Sequence, residues 1–225
     1  MRKTLGIIMS LLLVGVAFVG IFAQNLNSTK KESRHEADSP VDITKLCVTV
    51  SCGEYYGCGT IYDSDDSSFT IVTAEHVLQD YFDGLSTDIT VTFYDHETFN
   101  ASILKKSDEL DIVFLNIEGK DLSEVYHSVT GSSVQSATSL TPGETIYFVD
   151  ANTSDTYAGS IASPSVYSED FGMDMIYCYC QVTPGMSGTG LFSESGTYLG
   201  ILLGGSDEAE AVCLDATSIQ ASFQE

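Results

Sequence analysis

Ser187 is the residue of this 225-residue chain whose surroundings most clearly favour chemistry. Gly185 and Gly188 flank it, and glycines let a tight backbone expose the serine hydroxyl for attack on a carbonyl carbon. His76 and Asp111 lie upstream in the chain. A histidine can accept the serine proton and a carboxylate can orient the histidine ring, so the three residue types together predict acyl-transfer chemistry.

The order of these residues along the chain separates the folds that carry this chemistry. Hydrolases of the α/β type run serine, acid, histidine, and subtilisin-like enzymes run aspartate, histidine, serine. All four histidines of this chain precede Ser187, and Thr189 stands where a nucleophile elbow needs glycine. The remaining order of His76, Asp111 and Ser187 is that of the chymotrypsin-like double β-barrel.

The segment before His76 predicts the strands that position it. Residues 57–62 read as a strand, residues 63–68 as an Asp/Ser turn, and residues 69–73 as a second strand that leads into a short helix. This pattern resembles the histidine region of trypsin-like serine proteases, especially the bacterial Htr-type and glutamyl-endopeptidase branches. In that family a Gly-x-Gly strand leads into a Thr-x-x-His motif, here TAEH at residues 73–76. The other histidines are expected at the surface: His35, His96 and His127.

The resemblance covers about residues 46–222 and implies a role for Asp111. The family places its acid before a small or apolar pair and a leucine, and Asp111 precedes the apolar run IVFL. A carboxylate buried beneath the imidazole would fix the ring tautomer and stabilise the imidazolium. Asp108 and Glu109 are close rivals, but they lack the buried strand directly after them.

The glycines around Ser187 also predict an oxyanion hole. Backbone conformations open to Gly185 and Gly188 let the N–H groups of Gly185 and Ser187 converge on one point, where they would stabilise a tetrahedral intermediate. The strand-like stretches at 175–182, 191–192 and 198–202 are similar to the family strands around its Gly-x-Ser-Gly segment. The same resemblance makes Gln181 a substrate-binding residue, because trypsin-like relatives keep the acid that holds Lys or Arg at that position.

The chain departs from the family at two places. Residues 149–152 read VDAN where relatives commonly have a Gly-x-Pro turn. Met186 precedes the serine where digestive-type relatives carry an aspartate that pairs with a new N-terminus after zymogen cleavage. Because methionine cannot form that ion pair, we expect no trypsin-like zymogen step.

Composition and the spacing of turn residues predict one all-β domain that follows an export segment. Residues 1–23 carry a basic start and the apolar run 5–22, which is either a removed signal peptide or a retained membrane anchor. Residues 24–45 are a flexible polar linker, and residues 46–225 are the trypsin-like protease domain. The strand and turn pattern indicates a β-sandwich or barrel, and the resemblance to trypsin-like proteases implies a chymotrypsin-like double six-stranded β-barrel with the active site in the cleft between the barrels. An N-terminal apolar helix precedes it.

Charge limits the partners of this chain. From residue 46 onward only Lys105, Lys106 and Lys120 are basic, whereas 28 of the 32 acidic residues lie there. A phosphate backbone would be repelled by such a surface, so nucleic acid is excluded as a partner. The acidic surface either serves solubility outside the cell or attracts basic peptides.

Six cysteines lie beyond the export segment, where disulfides can form. We expect one bridge within the group Cys47, Cys52 and Cys58, and one that joins Cys178 or Cys180 to Cys213. A zinc site is a weaker alternative because no histidine accompanies the Cys-x-Cys pair. Buried free thiols are the remaining alternative.

These observations predict a secreted or membrane-anchored serine endopeptidase that hydrolyses proteins or peptides through an acyl-enzyme. Neither a metal nor an organic cofactor is needed, and a monomer is expected. An uncharged Gln181 favours medium polar or apolar side chains before the scissile bond over lysine and arginine. A catalytically inactive homologue that serves as a surface binding module, and an esterase on the same scaffold, are the alternatives.

Overall fold

A computed structural model describes residues 42–119, 126–130, 135–206 and 208–225. Twelve strands in these ranges form two closed antiparallel barrels of six strands each. The predicted all-β, chymotrypsin-like architecture is therefore confirmed. The apolar run 5–22 and most of the predicted linker lie outside the described residues. Within the described part of the chain, no helix is long and apolar enough to cross a membrane.

The first barrel closes in the order β1-β2-β3-β6-β5-β4. Its strands are β1 (Cys47–Cys52), β2 (Tyr55–Ser64), β3 (Ser68–Thr73), β4 (Ile89–Thr92), β5 (Thr98–Lys106) and β6 (Val113–Glu118). A 3-10 helix at Ile43–Leu46 precedes β1, and its Ile43 and Leu46 side chains are buried in the core. Another 3-10 helix at Glu75–Leu78 follows β3 and continues into α1 (Gln79–Phe82).

The second barrel closes in the order β10-β11-β12-β9-β8-β7. Its strands are β7 (Thr145–Asp150), β8 (Asp155–Ser168), β9 (Met173–Tyr179), β10 (Gly190–Ser193), β11 (Tyr198–Ser206) and β12 (Glu210–Asp215). A 3-10 helix at Ala137–Ser139 precedes β7. The strand that leads to Ser187 ends at Tyr179, before the predicted end at residue 182, because the chain then turns toward the serine.

The C-terminal helix α2 (Ala216–Gln224) joins the second barrel to the first. Asp215 caps its first turn, since its carboxylate accepts N–H groups from Thr217 and Ser218. At the other end, the ring of Phe223 packs edge-on against Tyr62 of β2 with centroids 5.2 Å apart. Residues of both barrels belong to one continuous buried cluster, so the barrels share a core.

All six cysteines are buried free thiols, so the predicted disulfides are wrong. Cys47 and Cys52 stand at opposite ends of β1, and five residues of strand separate them by roughly 16 Å. Cys178 and Cys213 face each other diagonally across β9 and β12, because Cys178 pairs with Ala211. Burial and a contact with the Cys178 side chain raise the pKa of Cys213, so the two sulfurs are neighbours that remain thiols. Among the described residues, no group of three or more His, Cys, Asp or Glu side chains could hold a metal ion.

Candidate active site

His76 and Asp111 meet because of the register between two neighbouring strands. Thr73 ends β3 and pairs with Val113, the first residue of β6. In an antiparallel pair the segment that leaves one strand lies beside the segment that enters the other. The 3-10 helix at Glu75–Leu78 therefore lies against Asp111, and the Glu75 N–H donates to the Asp111 carbonyl at 3.2 Å.

The Asp111 carboxylate holds both the ring and the backbone of His76. Its Oδ2 lies 2.6 Å from His76 Nδ1, and its Oδ1 accepts the His76 backbone N–H at 3.0 Å. The Asp111 side chain is 26 % exposed and the His76 side chain 45 %, so the carboxylate is less deeply buried than the sequence predicts. A carboxylate on Nδ1 leaves Nε2 as the free ring nitrogen, and Nε2 can exchange a proton with a substrate or a nucleophile.

Ser187 lies on a loop that is packed against the strands of the histidine segment. The Ser187 carbonyl accepts the Cys58 N–H of β2 at 2.8 Å. At the next residue, a Cβ on Gly188 would lie 2.1 Å from the Cys58 carbonyl oxygen and 3.1 Å from the N of Ala74. Ala74 stands two residues before His76, so the structure brings the serine segment to the histidine segment. Among the described residues, the Ser187 hydroxyl has no hydrogen-bond partner.

Two N–H groups of this loop are free of internal partners. Gly185 and Gly188 adopt φ values of +94° and +90°, as the sequence predicts for a tight loop. The N–H of Met186 donates to Thr183 and the N–H of Gly188 donates to Leu202. Within the described ranges, the N–H groups of Gly185 and Ser187 have no acceptor. Unpaired N–H groups beside a serine are the kind of donor that an oxyanion hole requires.

Met186 and Gln181 occupy different surroundings. Met186 is fully buried, and its Sδ accepts the Thr183 N–H at 3.3 Å. Gln181 is exposed in the segment between β9 and the serine loop. Beside it, the side chain of Val182 packs on Gly205 of β11, where an added Cβ would lie 2.3 Å from Val182 Cγ2.

The side chains that hold the Gly185 carbonyl were not identified from the sequence. This carbonyl accepts the Asn152 Nδ2 at 3.0 Å and the Cys58 Sγ at 3.4 Å. Asn152 and its partner Asp150 belong to the segment that departs from the family pattern. The Asp-x-Asn sequence signals a polar turn, but nothing in it shows that the turn faces Gly185.

Family comparison agrees with the geometry. Residues 57–201 match the trypsin-like peptidase domain, and this match spans well over half of the chain. The chain therefore belongs to the trypsin-like peptidase family, which confirms the resemblance predicted around His76. No curated protein matches the sequence significantly.

Solved structures share the fold at low sequence identity. An inactive serine-to-alanine mutant of Rv3671c from M. tuberculosis is 17 % identical with a TM-score of 0.64, over 84 % of this chain and 90 % of that one. The HtrA-type protease AlgW, also with a serine-to-alanine change and with a tripeptide, is 16 % identical with a TM-score of 0.65. That match covers 80 % of this chain and 60 % of AlgW, so this chain spans less than two thirds of that relative.

Proposed function

We propose that this chain is a serine endopeptidase with the triad His76, Asp111 and Ser187, and with its active site in the cleft between the barrels. The observation that carries the proposal is the Asp111–His76 pair at 2.6 Å beside a serine loop that is bonded to β2. Membership of a peptidase family supports it. The two free N–H groups next to Ser187 suit the developing charge of acyl transfer.

In the proposed mechanism, the Ser187 hydroxyl attacks the peptide carbonyl carbon while His76 Nε2 takes its proton. Asp111 holds Nδ1 protonated and stabilises the imidazolium. The N–H groups of Gly185 and Ser187 donate to the oxyanion of the tetrahedral intermediate. His76 then protonates the leaving amine, and an acyl-enzyme on Ser187 remains. Water attacks this ester with His76 as the base, and the acid product leaves. This sequence of steps draws on no metal or organic cofactor.

We place this activity outside the cytoplasm. Residues 1–23 act as a signal peptide or a membrane anchor, with 5–22 as the apolar tether; residues 24–45 act as a linker and residues 46–225 as a monomeric protease domain. N-terminal sequencing of the exported protein distinguishes removal from retention, and recovery of the protein only from the cytosol would refute the localisation. The partners are proteins or peptides rather than nucleic acid, because the domain carries so few basic residues.

Activation by a trypsin-like cut is not part of this proposal. Met186 is buried and uncharged, so it offers no carboxylate to a new N-terminus. The exported chain is therefore expected to be active as soon as it folds. Activity that appears only after a cut near residue 46 would refute this.

Gln181 is the proposed substrate-binding residue that limits cleavage after basic residues. It is exposed near the serine loop and carries no charge to pair with lysine or arginine. A peptide library would reveal preference for medium polar or apolar residues before the scissile bond. A strong arginine preference would contradict this assignment.

Labelling with a fluorophosphonate tests the central proposal. This probe reacts covalently with an activated serine, so we expect it to label the wild-type chain and the Ser195→Ala control, but not Ser187→Ala. Ser195 is exposed on the turn after β10, beyond the opposite end of that strand from Gly190. A folded wild type that is not labelled would favour the inactive binding homologue. Turnover of esters without cleavage of any protein would favour an esterase.

A further inference from the structure

We propose that Asp150, at the end of β7, and Asn152, on the turn that follows, form a polar clamp that fixes the Gly185–Met186 peptide, which lies between the two N–H groups proposed to bind the oxyanion. Both are positioning residues, since they act through Gly185 and do not touch the reacting atoms. The inference rests on the proposed function, because it assigns a role within the same site.

The Asn152 side chain connects the turn to the serine loop. Its Nδ2 donates to the Gly185 carbonyl at 3.0 Å and to Asp150 Oδ1 at 2.9 Å. The same nitrogen lies 3.5 Å from Cys58 Sγ, but an amide nitrogen carries only two hydrogens, and the oxygens of Gly185 and Asp150 are the nearer acceptors. The backbone N–H of Asn152 also donates to Asp150 Oδ1 at 2.9 Å. The amide is thus held by one partner and directed at the other.

Asp150 is a buried anchor for this contact. The residue is only 5 % exposed at the end of β7. Its carbonyl accepts the Thr153 N–H at 3.2 Å, which closes the turn. The preceding carbonyl, of Val149, accepts the hydroxyl of the buried Thr189 at 2.5 Å. Because Thr189 belongs to the serine loop, the turn and the loop are joined at two separate places.

Cys58 adds a second donor from the first barrel. Its Sγ lies 3.4 Å from the Gly185 carbonyl oxygen. Burial raises the pKa of the Cys58 thiol to about 12, so the thiol keeps its proton near neutral pH and remains a weak donor.

The clamp matters because it completes the anchoring of three consecutive peptides. The Gly185–Met186 peptide has its carbonyl on Asn152 and its N–H on Thr183. The Met186 carbonyl accepts the Thr189 N–H at 3.0 Å. The Ser187 carbonyl is held by Cys58 and the Gly188 N–H by Leu202. The unpaired Ser187 N–H belongs to the second of these peptides, and the unpaired Gly185 N–H is attached to the Cα atom at which the first begins, so the anchors restrain both donors.

Met186 carries no charge that could anchor this loop by an ion pair, and its thioether sulfur accepts the Thr183 N–H. The Gly185 carbonyl is instead held by two neutral donors from outside the loop, and the bond from Asn152 is shorter than the contact from Cys58. Gly185 itself has no side chain to restrict its rotation. Removing the amide would free the Gly185–Met186 peptide to turn, and the Gly185 and Ser187 N–H groups on either side of it would then converge on the oxyanion position only part of the time.

The test uses Asn152→Ala, which removes the donor, and Asn152→Asp, which keeps the shape but sets a carboxylate against Asp150 and the Gly185 carbonyl. Thr153→Ala, on the same turn, is the control because the Thr153 side chain is exposed. Three quantities are measured in the full chain: the rate constant of fluorophosphonate labelling, kcat and KM for p-nitrophenyl acetate, and inhibition by phenylboronic acid. Labelling is measured well below the Tm of each variant, where all of them are folded.

We expect Asn152→Ala to lower the labelling rate and kcat by about 10-fold to 100-fold, with KM within about twofold. Asn152→Asp should lose at least as much, and inhibition by phenylboronic acid, whose tetrahedral adduct resembles the intermediate, should weaken in parallel. Thr153→Ala should stay within about twofold of wild type. Asn152 variants that label and turn over like the control would overturn the clamp while the proposed function stands. A wild type that is not labelled would overturn both.

Discussion

Asp111 accepts two hydrogen bonds from His76, one from the ring and one from the backbone. The bond to Nδ1 is 2.6 Å long and the bond from the main-chain N–H is 3.0 Å long. Each carboxylate oxygen has one of these partners, so the carboxylate plane and the imidazole ring are fixed relative to each other. This arrangement needs an acceptor at both oxygens.

Asp111→Asn should therefore lower kcat by about 10⁴-fold. The amide can keep one acceptor for the His76 N–H only by turning its NH₂ group toward Nδ1. The ring would then carry its proton on Nε2, which is the wrong tautomer for accepting the Ser187 proton. Asp108→Asn is the matched control, because Asp108 is exposed in the turn before Asp111. A loss of less than about tenfold in steady-state assays of Asp111→Asn would argue against the triad.

Gly188→Ala should abolish activity and strongly lower the Tm. An alanine there would need a φ near +90° and would place its Cβ 2.1 Å from the Cys58 carbonyl oxygen. Gly143→Ala separates these two effects, since Gly143 has a φ of +92° with no atom within 4 Å of the added Cβ. The control should lose only the strain of the left-handed conformation, about 1–2 kcal/mol. Similar urea unfolding midpoints for both variants would contradict the role of the close contact.

Alkaline pH should destabilise the protein through its buried thiols. Burial raises the pKa of Cys47 from 9.0 to about 11. Below pH 9 both the folded and the unfolded chain keep this proton, and the contribution to stability is fully present. Above pH 9 the unfolded chain releases it first, so the free energy of unfolding falls between about pH 9 and 11.

The Cys47→Ala variant should show a shallower fall of Tm over this range than wild type. Its Tm near neutral pH should be lower than that of wild type, because a buried side chain is lost. Thr153→Ala, which keeps all thiols, should follow the wild-type slope. Parallel wild-type and Cys47→Ala curves between pH 9 and 11 would show that this thiol does not titrate as its burial implies.

Reducing agents should leave the Tm unchanged, because the structure contains six free thiols and no disulfide among the described residues. Iodoacetamide at pH 8 should leave the native protein unmodified within minutes, since buried, protonated thiols react slowly. The same reagent in guanidinium chloride should add six groups per chain, as counted by mass spectrometry. A drop in Tm with dithiothreitol would restore the disulfide prediction.

Local sequence patterns predicted those strands and turns that depend mainly on neighbouring residues. The strands expected at residues 57–62 and 69–73 lie within β2 and β3, and the turn expected at residues 63–68 joins these two strands. Alternating buried positions and turn residues carry this information. The bridges could not be predicted, because disulfide formation depends on distances across strands. Register sets those distances, and cysteine spacing in the sequence does not show it.

The residues of the site also fall into a group that the sequence predicts and a group that it does not. His76, Asp111 and Ser187 stand in motifs with a recognisable order, and the structure joins the first two and packs the loop of the third against Ala74. Asn152 could not be found from its motif, because its contact with Gly185 joins segments 33 residues apart. The contact depends on how strands β7 to β10 are arranged in the second barrel, which the local sequence does not show.

The peptide between Ser187 and Gly188 is bonded to both barrels, through Cys58 of β2 on one edge and Leu202 of β11 on the other. If the chain were divided between β6 and β7, the C-terminal fragment would keep the bond to Leu202 and lose the bond to Cys58. The position of Ser187 therefore depends on both barrels together. Mixing the two fragments should therefore regain turnover only as far as the halves reassociate and restore the bond to Cys58.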